Sequence, residues 1–193
     1  MAVGIAASLF FIGPSYAAQS SQGTAFQGLN WGATEAVIQR SFPEARRKKC
    51  VDDYFAELVA IAGQACDSPE VTPYEVAGIP FKLRFDLDLK TRRLMDVTLY
   101  YSADNSESSE AARTQFFARY DALVEALDAR YGRSSAPLTR DKDGIVILLR
   151  SWRTPTSTVG LSMDLVTKKT SHTQLETYQI WYKPLGGKAA EKL

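Results

Sequence analysis

Between Phe81 and Leu87 every second side chain is apolar: Phe81, Leu83, Phe85 and Leu87 alternate with Lys82, Arg84, Asp86 and Asp88. Successive side chains of a strand point to opposite faces, so this spacing predicts a strand with one buried and one wet face. Lys90-Thr91-Arg92-Arg93 reads as a polar turn, after which Met95, Val97, Leu99 and Tyr101 resume the alternation against Asp96, Thr98 and Tyr100. Together they predict an antiparallel hairpin.

The apolar faces need a cover, and a second periodicity supplies one. Phe116, Tyr120, Leu123, Leu127 and Tyr131 recur at helical spacing, joined by Phe117 and Val124. The spacing predicts a helix from about Glu107 to Tyr131, opened by Asp104-Asn105-Ser106 and closed by Gly132. A shorter helix is expected after Trp31, with Thr34 as its cap, Glu35 in its first turn and Pro43 stopping it at Phe42. Three further strands are expected at Ile145–Arg153, Thr158–Val166 and Leu175–Lys183. The expected fold is therefore α+β: one antiparallel sheet of five to six strands packed on one long and one short helix. The element order suggests two α-then-β halves, although the residues do not repeat.

The first 18 residues carry no charged side chain, run apolar from Ala2 to Ile12 and end in Ser15-Tyr16-Ala17-Ala18. That is the pattern of a signal peptide cut after small residues, which predicts a periplasmic or secreted protein, free in solution after cleavage. Residues 19–27, rich in Ser, Gln and Gly, are expected to form a mobile leader. Residues 28–183 are expected to form a single domain, and 184–193 a disordered tail. In an oxidising compartment Cys50 and Cys66 are expected to pair as a structural disulfide. A continuous helix between them would hold the Cα atoms roughly 24 Å apart, so pairing demands a hairpin or a folded-back helix.

The residues Gly28-Leu29-Asn30-Trp31-Gly32, Tyr74-Glu75-Val76-Ala77-Gly78-Ile79-Pro80-Phe81, Arg130-Tyr131-Gly132, Trp152 and Ile180-Trp181-Tyr182 give the chain a pattern that resembles uncharacterised periplasmic proteins of proteobacteria. More distantly, the helix-then-strand layout resembles the beta-lactamase inhibitory protein and the small lipoprotein of the outer-membrane barrel-assembly machine. The first resemblance rests on packing residues and carries no catalytic residue over. The second is one of architecture, and this chain lacks the lipoprotein's acylated cysteine.

Candidate chemistry is sparse. His172 is the only histidine and lies in a polar turn, Lys168-Lys169-Thr170-Ser171-His172. Ser162 and Ser171 lack the Gly-x-Ser-x-Gly frame of a nucleophile elbow. Asp141-Lys142-Asp143-Gly144 resembles part of a calcium loop, but the twelfth position of such a loop is Arg150 rather than Glu. Asp86 and Asp88 read as a solvated strand face. No catalytic residue, cofactor or metal site is expected.

The near balance of 23 basic and 22 acidic residues supplies no field for nucleic acid. Arg46-Arg47-Lys48-Lys49 is the sharpest charge run. It reads as a solvated loop with at most a weak contact to a membrane surface or an acidic partner. The leading expectation is a non-enzymatic binding or protein-interaction module in the envelope, with Trp152, Tyr178, Trp181 and Tyr182 of the last strands as the candidate interface. A carrier of a small apolar ligand or lipid between helix and sheet is the alternative, and an enzyme of unknown class the third reading.

Overall fold

The alternating segments form the strands that the periodicity dictates, and their pairing builds the molecule outward from them. The computed structural model describes residues 23–50, 57, 60–105, 109–168 and 173–186. The elements are β1 (Thr24–Phe26), β2 (Leu29–Asn30), α1 (Glu35–Ser41), β3 (Arg46–Arg47), β4 (Pro69–Val76), β5 (Ile79–Leu87), β6 (Leu94–Asn105), α2 (Glu110–Tyr131), β7 (Leu138–Lys142), β8 (Ile145–Arg153), β9 (Ser157–Lys168) and β10 (Thr173–Pro184). Strands β3 to β10 make one antiparallel sheet in the order β3-β4-β5-β6-β10-β9-β8-β7, and β1 pairs with β2 separately.

This corrects the expected fold class. The protein is mostly β, with eight strands in one sheet, a second sheet of two strands, two helices described in full, and helical residues at Glu57, Ala60 and Ile61. The expected α+β arrangement, five to six strands packed on one long and one short helix, is not what forms. The extra strands lie where no alternation announces them. β4 contains Pro69 and Pro73, which lack the N–H of a ladder, and the two-residue β3 covers it only at Pro69 and Glu70. β7, Leu-Thr-Arg-Asp-Lys, is exposed along its whole length and is held by its ladder to β8 rather than by burial. The Asp141-Lys142-Asp143-Gly144 segment is thus the end of a strand and its turn. Asp143 and Gly144 take positive φ to close that turn.

Both helices lie on one face of the sheet. Phe116, Tyr120, Leu123 and Leu127 of α2 are buried, and the Phe116 ring stands 5.2 Å from that of Tyr178 on β10. Phe42, at the end of α1, lies 4.8 Å from Phe85 on the same face of β5. α2 begins at Glu110, later than the expected Glu107, because β6 runs on to Asn105. Ser109 caps it by accepting from Ala112 N, and Gly132 ends it at φ 83°. Residues 24–26 of the expected leader form β1 and bury Phe26 against Phe42 and Tyr182. Residues 1–22 and 187–193, and with them the expected signal peptide and most of the tail, lie outside the described residues.

Leu123 and Leu127 are each expected to cost about 2–5 kcal/mol when replaced by Ala, from lost burial plus a residual cavity. Urea unfolding measures it, and midpoints equal to the parent's would contradict the buried stripe.

Candidate functional site

Among the described residues α1 and α2 occupy one face, and the other face of the same strands is open. Strand alternation puts Lys82, Arg84 and Asp86 of β5, Asp96, Thr98 and Tyr100 of β6, and Gln179, Trp181 and Lys183 of β10 on it. They line an open groove of about 800 Å³, which Lys48, Gln64 and Glu70 complete at one end.

Cross-strand register arranges these side chains in rows. Arg84 stands opposite Thr98, Thr98 opposite Trp181, Trp181 opposite Gly160 and Gly160 opposite Ser151. The next row runs Lys82, Tyr100, Gln179, Ser162 and Leu149. Gly160 makes room for the indole: a Cβ there would lie 2.1 Å from Cε2 and Cζ2 of Trp181. Trp181 therefore lies across the backbone of β9, partly exposed, while Tyr100 beside it is 42% exposed.

The third row is electrostatic. Asp86 stands directly opposite Asp96, and Lys183 follows one step beyond the last β6–β10 pair, Tyr182 with Val97. Asp86 is buried; Arg84 Nε lies 2.6 Å from its Oδ1, and Thr98 Oγ1 donates to its Oδ2 at 3.1 Å. Burial nonetheless pushes its pKa up. Asp96 accepts a hydrogen bond from Gln64 Nε2 at 3.3 Å. Its pKa is pushed up to about 6, first by burial and further by the Asp86 charge, against the attraction of Lys183 and the Gln64 hydrogen bond.

Gln64 belongs to the segment that Cys50 and Cys66 close. The two cysteines are at disulfide distance, with Cα atoms 5.3 Å apart. Ala65 N donates to Leu87 O at 2.8 Å and Leu89 N to Gly63 O at 2.8 Å, so the end of this segment is stitched to β5. Glu57, Ala60 and Ile61 within it are helical, and residues 51–56 and 58–59 lie outside the described residues.

Of the four expected interface residues, Trp181 is on the open face. Trp152, Tyr178 and Tyr182 are in the core. Trp152 Nε1 donates to Asp128 Oδ1 at 2.7 Å, fastening β8 to α2, and Tyr178 donates to Phe116 O at 3.1 Å. Tyr182 packs edge-on to Phe26 and Tyr131. Even-numbered residues of β10 face the helix, which is why the tyrosines are lost to the surface.

The basic run does not form one patch either. Arg47 bonds Glu35 of α1 through both Nε and Nη2, and Arg92 bonds Asp67 and Glu35, so two guanidiniums and two carboxylates tie α1, β3 and the β5–β6 turn together. Hydrogen bonds from Arg47 hold the Glu35 carboxyl below its ordinary pKa, and those from Arg92 do the same for Asp67. Arg46 donates to Pro43 O and Ala45 O, Lys48 pairs with Glu70 at 3.8 Å, and Lys49 is exposed. Asp88 accepts from Lys90 N, Thr91 N and Thr91 Oγ1, which makes it a turn residue rather than a partner of Asp86. His172 lies outside the described residues.

Among the described residues no group of three or more His, Cys, Asp or Glu side chains is placed to hold a metal ion. No helix among them is long and apolar enough to cross a membrane. The chain matches no protein-family model, no curated protein and no solved structure.

Asp96 is ionised at neutral pH at a cost to folding. Its folded pKa lies above the unfolded value of 3.8, so the native state binds the extra proton between the two, and stability falls as pH rises through that window. Asp96→Asn is expected to be near neutral at about pH 4 and to stabilise by about 1–2 kcal/mol at about pH 8. Urea midpoints at the two pH values measure it; a stabilisation equal at both would contradict the assignment.

Proposed function

We propose that the protein is an exported, non-enzymatic binding module that holds a partner protein on the open face of its sheet. The observation that carries this reading is the pair Trp181 and Tyr100. They are large aromatic side chains left partly exposed in the middle of a groove, on strands whose opposite faces are locked into the core. Aromatic rings on a rigid backbone lose little entropy on binding and are frequent anchors of interfaces. Export is read from the uncharged apolar N-terminus, and the Cys50–Cys66 pair at disulfide distance supports an oxidising address. The resemblance to uncharacterised periplasmic proteins of proteobacteria points to the same compartment.

A second reading, a carrier of a small apolar ligand, draws on a cleft between helix and sheet lined by Phe26, Tyr74, Leu99, Leu127, Ile180 and Tyr182. Its volume of about 220 Å³ is below the roughly 300–1,000 Å³ of ordinary small-molecule sites, and the adjoining cleft of about 410 Å³ beside Tyr131, Val159 and Tyr182 falls within that range.

Two measurements test the proposal. In protein isolated from the envelope, thiol labelling under denaturing, non-reducing conditions is expected to find no free thiol, and labelling of both cysteines would remove the export argument. Trp181→Ala and Tyr100→Ala are expected to keep the parent's circular dichroism yet to lose a partner cross-linked in periplasmic extract, each by about tenfold or more. Retention of that partner by both folded variants would move the site elsewhere.

A further inference from the structure

The groove is unevenly charged, and the ion pairs within it decide where the excess lies. Arg84 cancels Asp86, and Lys48 pairs with Glu70. What is left facing outward is Lys82, which is exposed, and Lys183, with exposed Arg153 continuing its row on β8 past Thr158. Against these three cations stand, among the described residues, the carboxylate of Asp96 in the groove and, farther along the same face, Asp104 of β6 and Asp164 of β9. There too Arg140 and Lys142 of β7 stand in register with Ile147 and Ile145 of β8, in the rows of Asp164 of β9 and Asp104 of β6 respectively.

The geometry points to an acidic segment of a partner protein as the occupant of this groove, laid along the β6–β10 rows over Trp181 and Tyr100, with Asp96 as the group that weakens its capture when ionised. The inference rests on the reading of the open face as a binding surface. Complementary charge is its argument: an acidic chain meets Lys82, Lys183 and Arg153, whereas a basic chain would have to displace Arg84 or Lys183 from the carboxylates they already attract. Asp96 sits between Asp86 of β5 and Lys183 of β10, with Arg84, Lys48 and Glu70 as the other charged groups at that end of the groove. An ionised Asp96 repels the segment and competes for Lys183. A protonated one does neither, so binding takes up a proton and tightens as the pH falls through the range in which Asp96 titrates.

A fluorescently labelled oligo-L-aspartate serves as the probe, followed by anisotropy. His172 is replaced by Asn throughout, so that the chain's only histidine does not titrate in the same range. The expected result is binding that weakens as salt is raised and is about threefold tighter at about pH 5 than at about pH 8. Lys82→Glu and Arg153→Glu, both at exposed positions, are expected to weaken it about tenfold. Asp96→Asn is expected to bind at about pH 8 as tightly as the parent at about pH 5, with no further gain on acidification. The inference is overturned by absence of binding, by indifference to Lys82→Glu and Arg153→Glu, by preference for oligo-L-lysine or for vesicles of anionic phospholipid, or by a pH dependence that survives Asp96→Asn. If oligo-L-aspartate fails while Trp181→Ala and Tyr100→Ala still lose the cross-linked partner, the open face remains the binding surface and only its acidic occupant falls.

Discussion

β6 and β10 pair from Gln174 opposite Asn105 to Tyr182 opposite Val97, and this ladder joins two four-stranded meanders into one sheet. Its register fixes which residues share a face. Tyr178 stands beside Tyr101, Ile180 beside Leu99 and Tyr182 beside Val97, which gives α2 an aromatic and aliphatic floor. Gln179 then necessarily stands beside Tyr100 and Trp181 beside Thr98 on the other side. A slip of one residue would exchange the two sets and put Gln179 and Lys183 under the helix, so burial of the apolar set specifies the composition of the open face as strictly as that of the core.

The two faces treat charge differently. Under α2, Glu176 is 2% exposed and Arg119 of the helix bonds it at 3.2 Å. Arg119 is about a third exposed, so the pair fastens α2 to β10 at the margin of the interface, with the carboxylate buried and the guanidinium reaching solvent. On the open face Asp86 has its own guanidinium, but Asp96 is left with a distant ammonium and one amide hydrogen bond. Ionised at neutral pH, that carboxylate therefore costs the fold stability, whereas Asp86 beside it is compensated by Arg84.

The alternation in β5 and β6, the helical stripe of α2 and the Gly132 stop were legible because burial on one side imposes a period that sequence displays. Edge strands carry no such imprint: β7 is wet on both faces, β3 has two residues, and in β4 Pro69 takes the first position of the strand while Pro73 lies beyond the reach of β3. Lacking them, the expected sheet was too small and the fold class too helical. On β10 the alternation did separate Trp181 from Tyr178 and Tyr182. What it lacked was the sign, since both faces of that strand carry bulk and only α2, packed on the Tyr178 side, says which is interior. The wet face Asp96, Thr98 and Tyr100 was visible as a pattern, yet its neighbours became known only through the register with β5 and β10.

Trp181 and Gly160 together distinguish the open face from one that is merely uncovered. A glycine inside a central strand gives up β propensity and side-chain packing, and a partly exposed tryptophan leaves apolar surface in water. Placed opposite each other they offset part of both costs, because the indole fills the space that the missing side chain leaves and shields the strand beneath. The same contact limits how far the ring can move, fastened as it is between the β6 and β9 ladders. An anchor ordered before binding loses little freedom when a partner arrives. With Tyr100 and Gln179 in the adjoining row and Lys82, Lys183 and Arg153 around them, the proposed binding surface would have an ordered aromatic centre and a charged rim, the distribution by which an interface separates affinity from selectivity.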